Sequence, residues 1–167
     1  NVQNIIKPIK YGVLQNIFNK KSESKKQTEK TESKKNNHLD YVKVLVVDDN
    51  KINMLLTKTL VQNQLPNCRI FEATNGLEAV EIAKTELPQV IFMDIQMPEM
   101  DGFDATRAIR EQEKKLDRDP VTIIALTANA LEGDKAQCLA AGMNDFLAKP
   151  LKQDILRALL HQYQAKP

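Results

Sequence analysis

Val90-Ile91-Phe92-Met93-Asp94-Ile95-Gln96-Met97-Pro98-Glu99-Met100-Asp101-Gly102 is the stretch that decides the fold. Four apolar residues run into one aspartate, and a loop closing on Met-Asp-Gly follows. Pro88 and Pro98 bound the run, which is too short for a helix and suits a strand covered on both faces. Asp94 then stands at the carboxyl end of that strand, where open α/β sheets bind their ligands.

Working outward, the pattern alternates strictly from Tyr41 onward. Strands are expected at Val42–Val47, Arg69–Ala73, Val90–Met93, Val121–Leu126 and Asp145–Leu147. Helices are expected at Asn50–Asn63, Leu77–Glu86, Gly102–Glu113, Leu131–Ala141 and Lys152–Tyr163. The first helix carries apolar Ile52, Leu55, Leu56, Leu60 and Val61, and the last carries Ile155, Leu156, Leu159 and Leu160. Gly142 is placed to stop the fourth helix in a left-handed cap. Repeated βα units joined by short loops imply a doubly wound parallel sheet, a (βα)5 α/β fold with helices on both faces.

Ahead of this unit the chain changes character. Residues 1–39 hold nine Lys and three Asp/Glu, a balance of +6 within a whole-chain charge of +2. The remainder, with 15 basic and 19 acidic residues, carries −4. The basic pI therefore comes from the N-terminal segment and does not argue for a nucleic-acid-binding domain. Residues 19–40 are almost purely polar and cannot bury enough surface to offset ordering entropy, so a flexible charged linker is expected there. Lys7 to Phe18 aligns without gaps on Lys149 to Leu160, with four identities and four apolar-for-apolar pairs. Residues 1–18 thus read as the last helix of a preceding copy of the same unit, with an ordinary interdomain helix as the alternative. The first residue is not Met, which suits a piece of a longer protein.

Two cysteines, Cys68 and Cys138, make neither a metal-ligand cluster nor a disulfide framework, so a reducing, cytoplasmic setting is the simplest. No apolar run reaches the roughly 18 residues needed to span a bilayer, and no secretory signal is visible. Membrane contact from this segment is not expected.

The strand ends carry the chemistry. The first strand ends in Asp48-Asp49, the third in Asp94 and the fourth in Thr127, and the fifth is followed closely by Lys149-Pro150. Each of these is ordinary alone: an Asp pair caps helices, a Thr suits a strand, and Lys-Pro makes turns. Together, all on one edge of a parallel sheet, they place three carboxylates, a hydroxyl and an ammonium around one pocket. Clustered carboxylates repel and raise a pKa, and a hard divalent cation removes that penalty. Mg²⁺, with Mn²⁺ as a substitute, prefers one or two carboxylates plus phosphate oxygens and water. Asp49 and Asp94 would be direct ligands, with Asp48 direct or through water. A carboxylate is also a competent nucleophile toward phosphorus. Lys149 would neutralise the transferring group, and Thr127 would donate a hydrogen bond to it.

From about Lys43 to Tyr163 the chain resembles a response-regulator receiver domain. The resemblance rests on Val44–Asp49, Met93–Gly102, Ala125-Leu126-Thr127-Ala128-Asn129-Ala130 and Phe146-Leu147-Ala148-Lys149-Pro150. It implies a flavodoxin-like strand order 2-1-3-4-5 and one domain over residues 41–165. It implies Asp94 as the phospho-acceptor, Asp48 and Asp49 as the acidic metal pair, and the Gln96 backbone carbonyl as a further ligand. It also implies Thr127 as the switch hydroxyl, Lys149 as the phosphate-pairing lysine, Phe146 as the switch aromatic, and a cis bond at Lys149-Pro150. Gln96 and Asn129 would tune phosphate lifetime.

The wording Met-Asp-Ile-Gln-Met-Pro-Glu-Met-Asp-Gly with Ala-Leu-Thr-Ala-Asn-Ala is similar to receivers fused to sensor histidine kinases. That implies the C-terminal receiver of a membrane-anchored hybrid kinase, exchanging phosphoryl groups with histidine kinases and histidine-phosphotransfer proteins. Homodimerisation is left open. Neither His38 nor His161 sits in a kinase histidine box, so this segment is a phosphoacceptor with at most autophosphatase activity. A stand-alone response regulator acting by protein contact is the alternative within the family. A Mg²⁺-dependent phosphatase with an aspartyl nucleophile is the alternative from another class, and a docking module with a vestigial pocket is a third.

Overall fold

The computed structural model describes residues 42–128 and 132–164. The expected terminal helix of residues 1–18, the linker of residues 19–40, Asn129 and residue 165 lie outside the described residues. In chain order the elements are β1 (Val42–Val47), α1 (Lys51–Gln64), β2 (Cys68–Ala73), α2 (Gly76–Glu86), β3 (Val90–Asp94), α3 (Gly102–Lys115), β4 (Thr122–Thr127), α4 (Glu132–Ala141), β5 (Asp145–Ala148) and α5 (Gln153–Gln164). The five strands form one parallel sheet in the order β2-β1-β3-β4-β5. Every strand runs toward the edge that carries Asp94, and every helix runs back.

Each of the first three helices opens on a side chain that captures its orphan amides. Asn50 Oδ1 accepts from Ile52 N at 2.9 Å and Asn53 N at 3.3 Å. Asn75 Oδ1 accepts from Glu78 N at 2.9 Å, and Asp101 Oδ1 from Asp104 N at 2.8 Å. Asn50 is thus the cap of α1 and not its first helical residue. Gly142, at φ +100°, stops α4 in the left-handed conformation that its position suggests. Leu87 makes the same kind of stop for α2 at φ 54° without a glycine's freedom.

The period-two alternation of the strands splits the core in two. Val42, Val44, Val46, Phe92, Ile124, Leu126 and Leu147 face α1 and α5. Leu45, Val47, Ile91, Met93, Ile123 and Ala125 face α2, α3 and α4. β3 is buried along its whole length, as its apolar run and central position require. The last helix packs through Leu156, Leu159 and Leu160 and leaves Ile155 48% exposed.

The first helix departs from the simplest reading of its apolar pattern. Met54, Thr57 and Val61 face the core, while Ile52 and Leu55 are 78% and 65% exposed and Leu56 is 38% exposed. The apolar stripe is wider than the surface that the sheet can cover.

At the edge away from Asp94 a half-buried guanidinium ties three segments together. Arg110 Nε donates to Gly142 O at 2.9 Å, Nη1 to Glu113 Oε2 at 2.8 Å and Nη2 to Asn144 Oδ1 at 3.0 Å. Glu113 Oε1 in turn accepts from Val121 N, and Asn144 Oδ1 from Ile123 N, both at 2.7 Å. Charged groups on α3 are thereby satisfied by the entrance to β4 and the turn into β5.

Candidate functional site

Parallel register assembles the pocket. Val47 pairs with Met93, and Asp94 with Leu126, so Asp48 and Asp94 leave neighbouring strands at the same height. Thr127 pairs with Ala148 on the other side, and Lys149 N donates to Thr127 O at 2.7 Å. The Lys149–Pro150 peptide is cis.

Lys149 Nζ lies 2.7 Å from Asp48 Oδ2 and 2.8 Å from Asp94 Oδ2. Asp48 Oδ1 accepts from Asn50 N at 2.9 Å and from the Asn53 amide at 3.5 Å. Its Oδ2 is buried and receives no well-aligned hydrogen bond, so the ammonium acts on it as a charge. Asp94 Oδ1 accepts from Gln96 N at 3.3 Å. Asp48 and Asp94 are buried, whereas Asp49 is exposed at the mouth. Oxygens of all three carboxylates lie within 4.8 Å of one another.

Burial pushes the Asp94 carboxyl above the usual carboxylate range. The Lys149 contact opposes that shift, and the nearby Asp48 charge adds to it. Burial works against the Lys149 ammonium too, but its contacts with Asp48 and Asp94 outweigh burial and hold its pKa above the ordinary lysine value. Two buried carboxylates thus share one cation, and a pocket so charged is short of positive charge.

Hard oxygen donors, two buried carboxylates sharing a single ammonium, and an open side at Asp49 fit Mg²⁺ or a similar divalent cation. Asp48, Asp49 and Asp94 are the residues that would hold it.

The loop after Asp94 is drawn tightly under the site. Gly102 N donates to Ile95 O at 2.9 Å, and Ile95 N to Leu126 O at 3.2 Å. A Cβ on Gly102 would fall 2.2 Å from Asp94 O, so only glycine fits. Glu99 takes φ 66° within this loop, a strained value for a residue with a side chain.

Asp48, Asp49, Asp94 and Lys149 meet in one pocket, and Thr127 is buried at the adjoining strand end. The Gln96 side chain is exposed. Phe146 stands two strand residues before Ala148, half-buried against the α2–α4 core, with the Lys135 ammonium 5.8 Å from its ring centre. Asn53 was not legible as a site residue. Its position five residues past Asp48, on the first turn of a helix, is the signal that would have found it.

A sheet of order 2-1-3-4-5 with an acidic pocket and a lysine at its carboxyl edge defines a class. The chain belongs to the response regulator receiver domain family, whose sequence model matches residues 44–161. The curated proteins it resembles include hybrid signal transduction histidine kinases and sensor histidine kinases. It is 46% identical over 131 residues to hybrid signal transduction histidine kinase B of Dictyostelium discoideum, covering 72% of this chain and 6% of that protein. It is 40% identical over 111 residues to the sensor histidine kinase GacS of Pseudomonas protegens, covering 66% of this chain and 12% of that protein. The chain therefore spans a small fraction of the curated relatives it matches.

Among solved structures it resembles the receiver domain of the sensor histidine kinase PA1611 of Pseudomonas aeruginosa, crystallised with a magnesium ion in its active-site cleft. That likeness has a TM-score of 0.64 at 39% identity and covers 75% of this chain and 99% of the other. The receiver domain of Saccharomyces cerevisiae Ssk1, in complex with the histidine phosphotransfer protein Ypd1, matches with a TM-score of 0.68 at 34% identity. It covers 74% of this chain and 89% of the other. The domain is a receiver of two-component phosphorelay signalling, and the phosphatase reading is not favoured. No helix among the described residues is long and apolar enough to cross a membrane.

Proposed function

We propose that Asp94 accepts a phosphoryl group from a phosphohistidine and that the domain relays it within a hybrid sensor histidine kinase system. The observation that carries this reading is the convergence of Asp48, Asp49 and Asp94 with Lys149 at one sheet edge. An Asp94 carboxylate oxygen attacks phosphorus, the P–N bond to the donor imidazole breaks, and the imidazole leaves with its electron pair. The product is an acyl phosphate. Bound Mg²⁺ supplies positive charge to the phosphoryl oxygens.

Lys149 already spans Asp48 and Asp94, so its ammonium stands beside the new phosphate without travelling. Thr127 offers its hydroxyl from the next strand end, and Phe146 responds to that hydroxyl's position. Gln96 and Asn129, two residues past Asp94 and Thr127 in sequence, set phosphate lifetime. The Gln96 backbone carbonyl would be a further ligand for the metal. The phosphatase alternative needs an acid two residues after the nucleophile, and Gln96 cannot serve as one.

The donor must cover the pocket mouth. α1 begins two residues past Asp49 and exposes Ile52, Leu55 and Leu56 beside that mouth. An apolar patch there suits a helical phosphotransfer partner. The test is intact mass after incubation with acetyl phosphate. A Mg²⁺-dependent gain of one phosphoryl group, lost in Asp94→Asn, is expected. Retained hydroxylamine-sensitive phosphate in that variant would overturn the acceptor.

A further inference from the structure

The Asn53 side chain, neutral and part-buried, reaches the acidic pocket from the first turn of α1. Its amide donates to Asp48 Oδ1 at 3.5 Å, where the Asn50 backbone N–H also donates at 2.9 Å. It lines a small recess with Thr57, Leu126, Lys149, Pro150 and Leu151, between α1 and the cis-peptide turn. We propose that Asn53 is a positioning residue that holds Asp48 with Oδ1 turned to the protein and Oδ2 turned to the cation site. This rests on the assignment of Asp48 as a metal-binding carboxylate.

The Asp48 side chain is 0% exposed, so water cannot finish its hydrogen bonds. Oδ1 takes two protein donors, one from the backbone and one from the Asn53 amide. Oδ2 takes none of good angle and faces the Lys149 charge. The two oxygens are therefore inequivalent, and Oδ2 is the one turned toward positive charge, that of Lys149 and of any metal that joins it. The Asn53 nitrogen must be the atom facing Asp48, because its amide oxygen would meet a carboxylate with like charge.

The Asn50 backbone donor holds Oδ1 from one direction, while the Lys149 ammonium draws the other oxygen at 2.7 Å. The Asn53 amide adds a second direction of hold on Oδ1, against the pull of charge on Oδ2. Outer partners of metal-binding groups commonly change affinity by about 10–100-fold when removed. The long Asn53 contact belongs at the lower end of that range. Asn53 also suits the place as a neutral donor, since a further carboxylate would repel Asp48 before any cation arrived.

The experiment is Mg²⁺ titration of the full chain by calorimetry, with thermal denaturation in the absence of metal as the second reading. Asn53→Leu removes the donor and keeps the bulk, and Asn53→Ala serves if that variant does not fold. Thr57→Val is the control, because Thr57 lines the same recess without a hydrogen bond to Asp48. The expected result is about tenfold weaker Mg²⁺ binding in the Asn53 variants, with wild-type affinity in Thr57→Val. Affinity within twofold of wild type in the Asn53 variants, or an equal loss in Thr57→Val, would overturn the proposal. Absence of Mg²⁺ binding by the wild-type chain would instead overturn the metal site on which it rests.

Discussion

Gly102 lies so close beneath Asp94 that a single added carbon would sit 2.2 Å from the Asp94 carbonyl oxygen. That carbon would also fall 2.9 Å from the Ile95 Cα, so backbone would have to move, not a flexible side chain. Gly102→Ala is expected to cost about 2–3 kcal/mol by overpacking, read as a lower denaturation midpoint, and to weaken Mg²⁺ binding in the folded fraction. Wild-type values for both would show that the loop yields freely.

Lys149 holds two buried carboxylates at 2.7 and 2.8 Å. Breaking such a pair leaves uncompensated charge, so Lys149→Met should lose about 2–4 kcal/mol of metal-free stability. A divalent cation can replace the missing charge. The stabilisation on adding Mg²⁺ should then exceed that of the wild type, measured as the shift in denaturation temperature. An equal or smaller shift would mean that Lys149 and the metal act on different charge.

The raised pKa of Asp94 gives a pH dependence with a definite sign. Burial is its main cause, with Lys149 opposing and Asp48 adding. The folded carboxyl holds its proton more tightly than the unfolded one. Its favourable contribution is complete below the unfolded value near 3.8 and fades as pH rises through the higher folded value. Asp94→Asn keeps the size and removes the charge. It should melt higher than wild type at neutral pH without metal, and the difference should vanish toward acid. A difference that persists at low pH would trace to packing instead.

Leu87 ends α2 at φ 54° and is 51% exposed. A left-handed conformation costs a residue with a Cβ roughly 1–2 kcal/mol, and glycine is spared it. Leu87→Gly should therefore gain up to about 1 kcal/mol, after allowing for glycine's greater freedom when unfolded. Urea denaturation reads the change. A loss of stability would show that the leucine side chain packs more than its exposure suggests.

Exposed Ile52 and Leu55 give a test of partner docking. Leu55→Glu should slow phosphoryl transfer from a phosphorylated histidine-phosphotransfer protein about tenfold or more, as for a truncated docking anchor. Labelling by acetyl phosphate should stay at the wild-type rate. Equal loss with both donors would move the effect from docking to the pocket.

The five βα units were legible because their periods switch cleanly and their loops are short. Strand ends of a parallel sheet share one edge, so topology alone brings Asp48, Asp49, Asp94 and Lys149 together. Packing across the sequence decides the rest. The order of strands came from resemblance, not from periodicity. Ile52 and Leu55 share α1 with Met54 and Val61, and apolar spacing marks them all without saying which the sheet covers. The partners of Arg110 lie 32 and 34 residues away in sequence, at Gly142 and Asn144, where no local pattern points. The Asn53 contact depends on the angle at which α1 leaves β1, a matter of packing.

Because each strand climbs toward Asp94 and each helix descends, the chain enters at Val42 and reaches Gln164 at the pole braced by Arg110. Attachment and chemistry are thereby assigned to opposite poles. Polypeptide joined at either end of the described unit would leave from that pole without passing the carboxylates. A unit wired this way can be appended to other sequence at both ends with its pocket still presented outward.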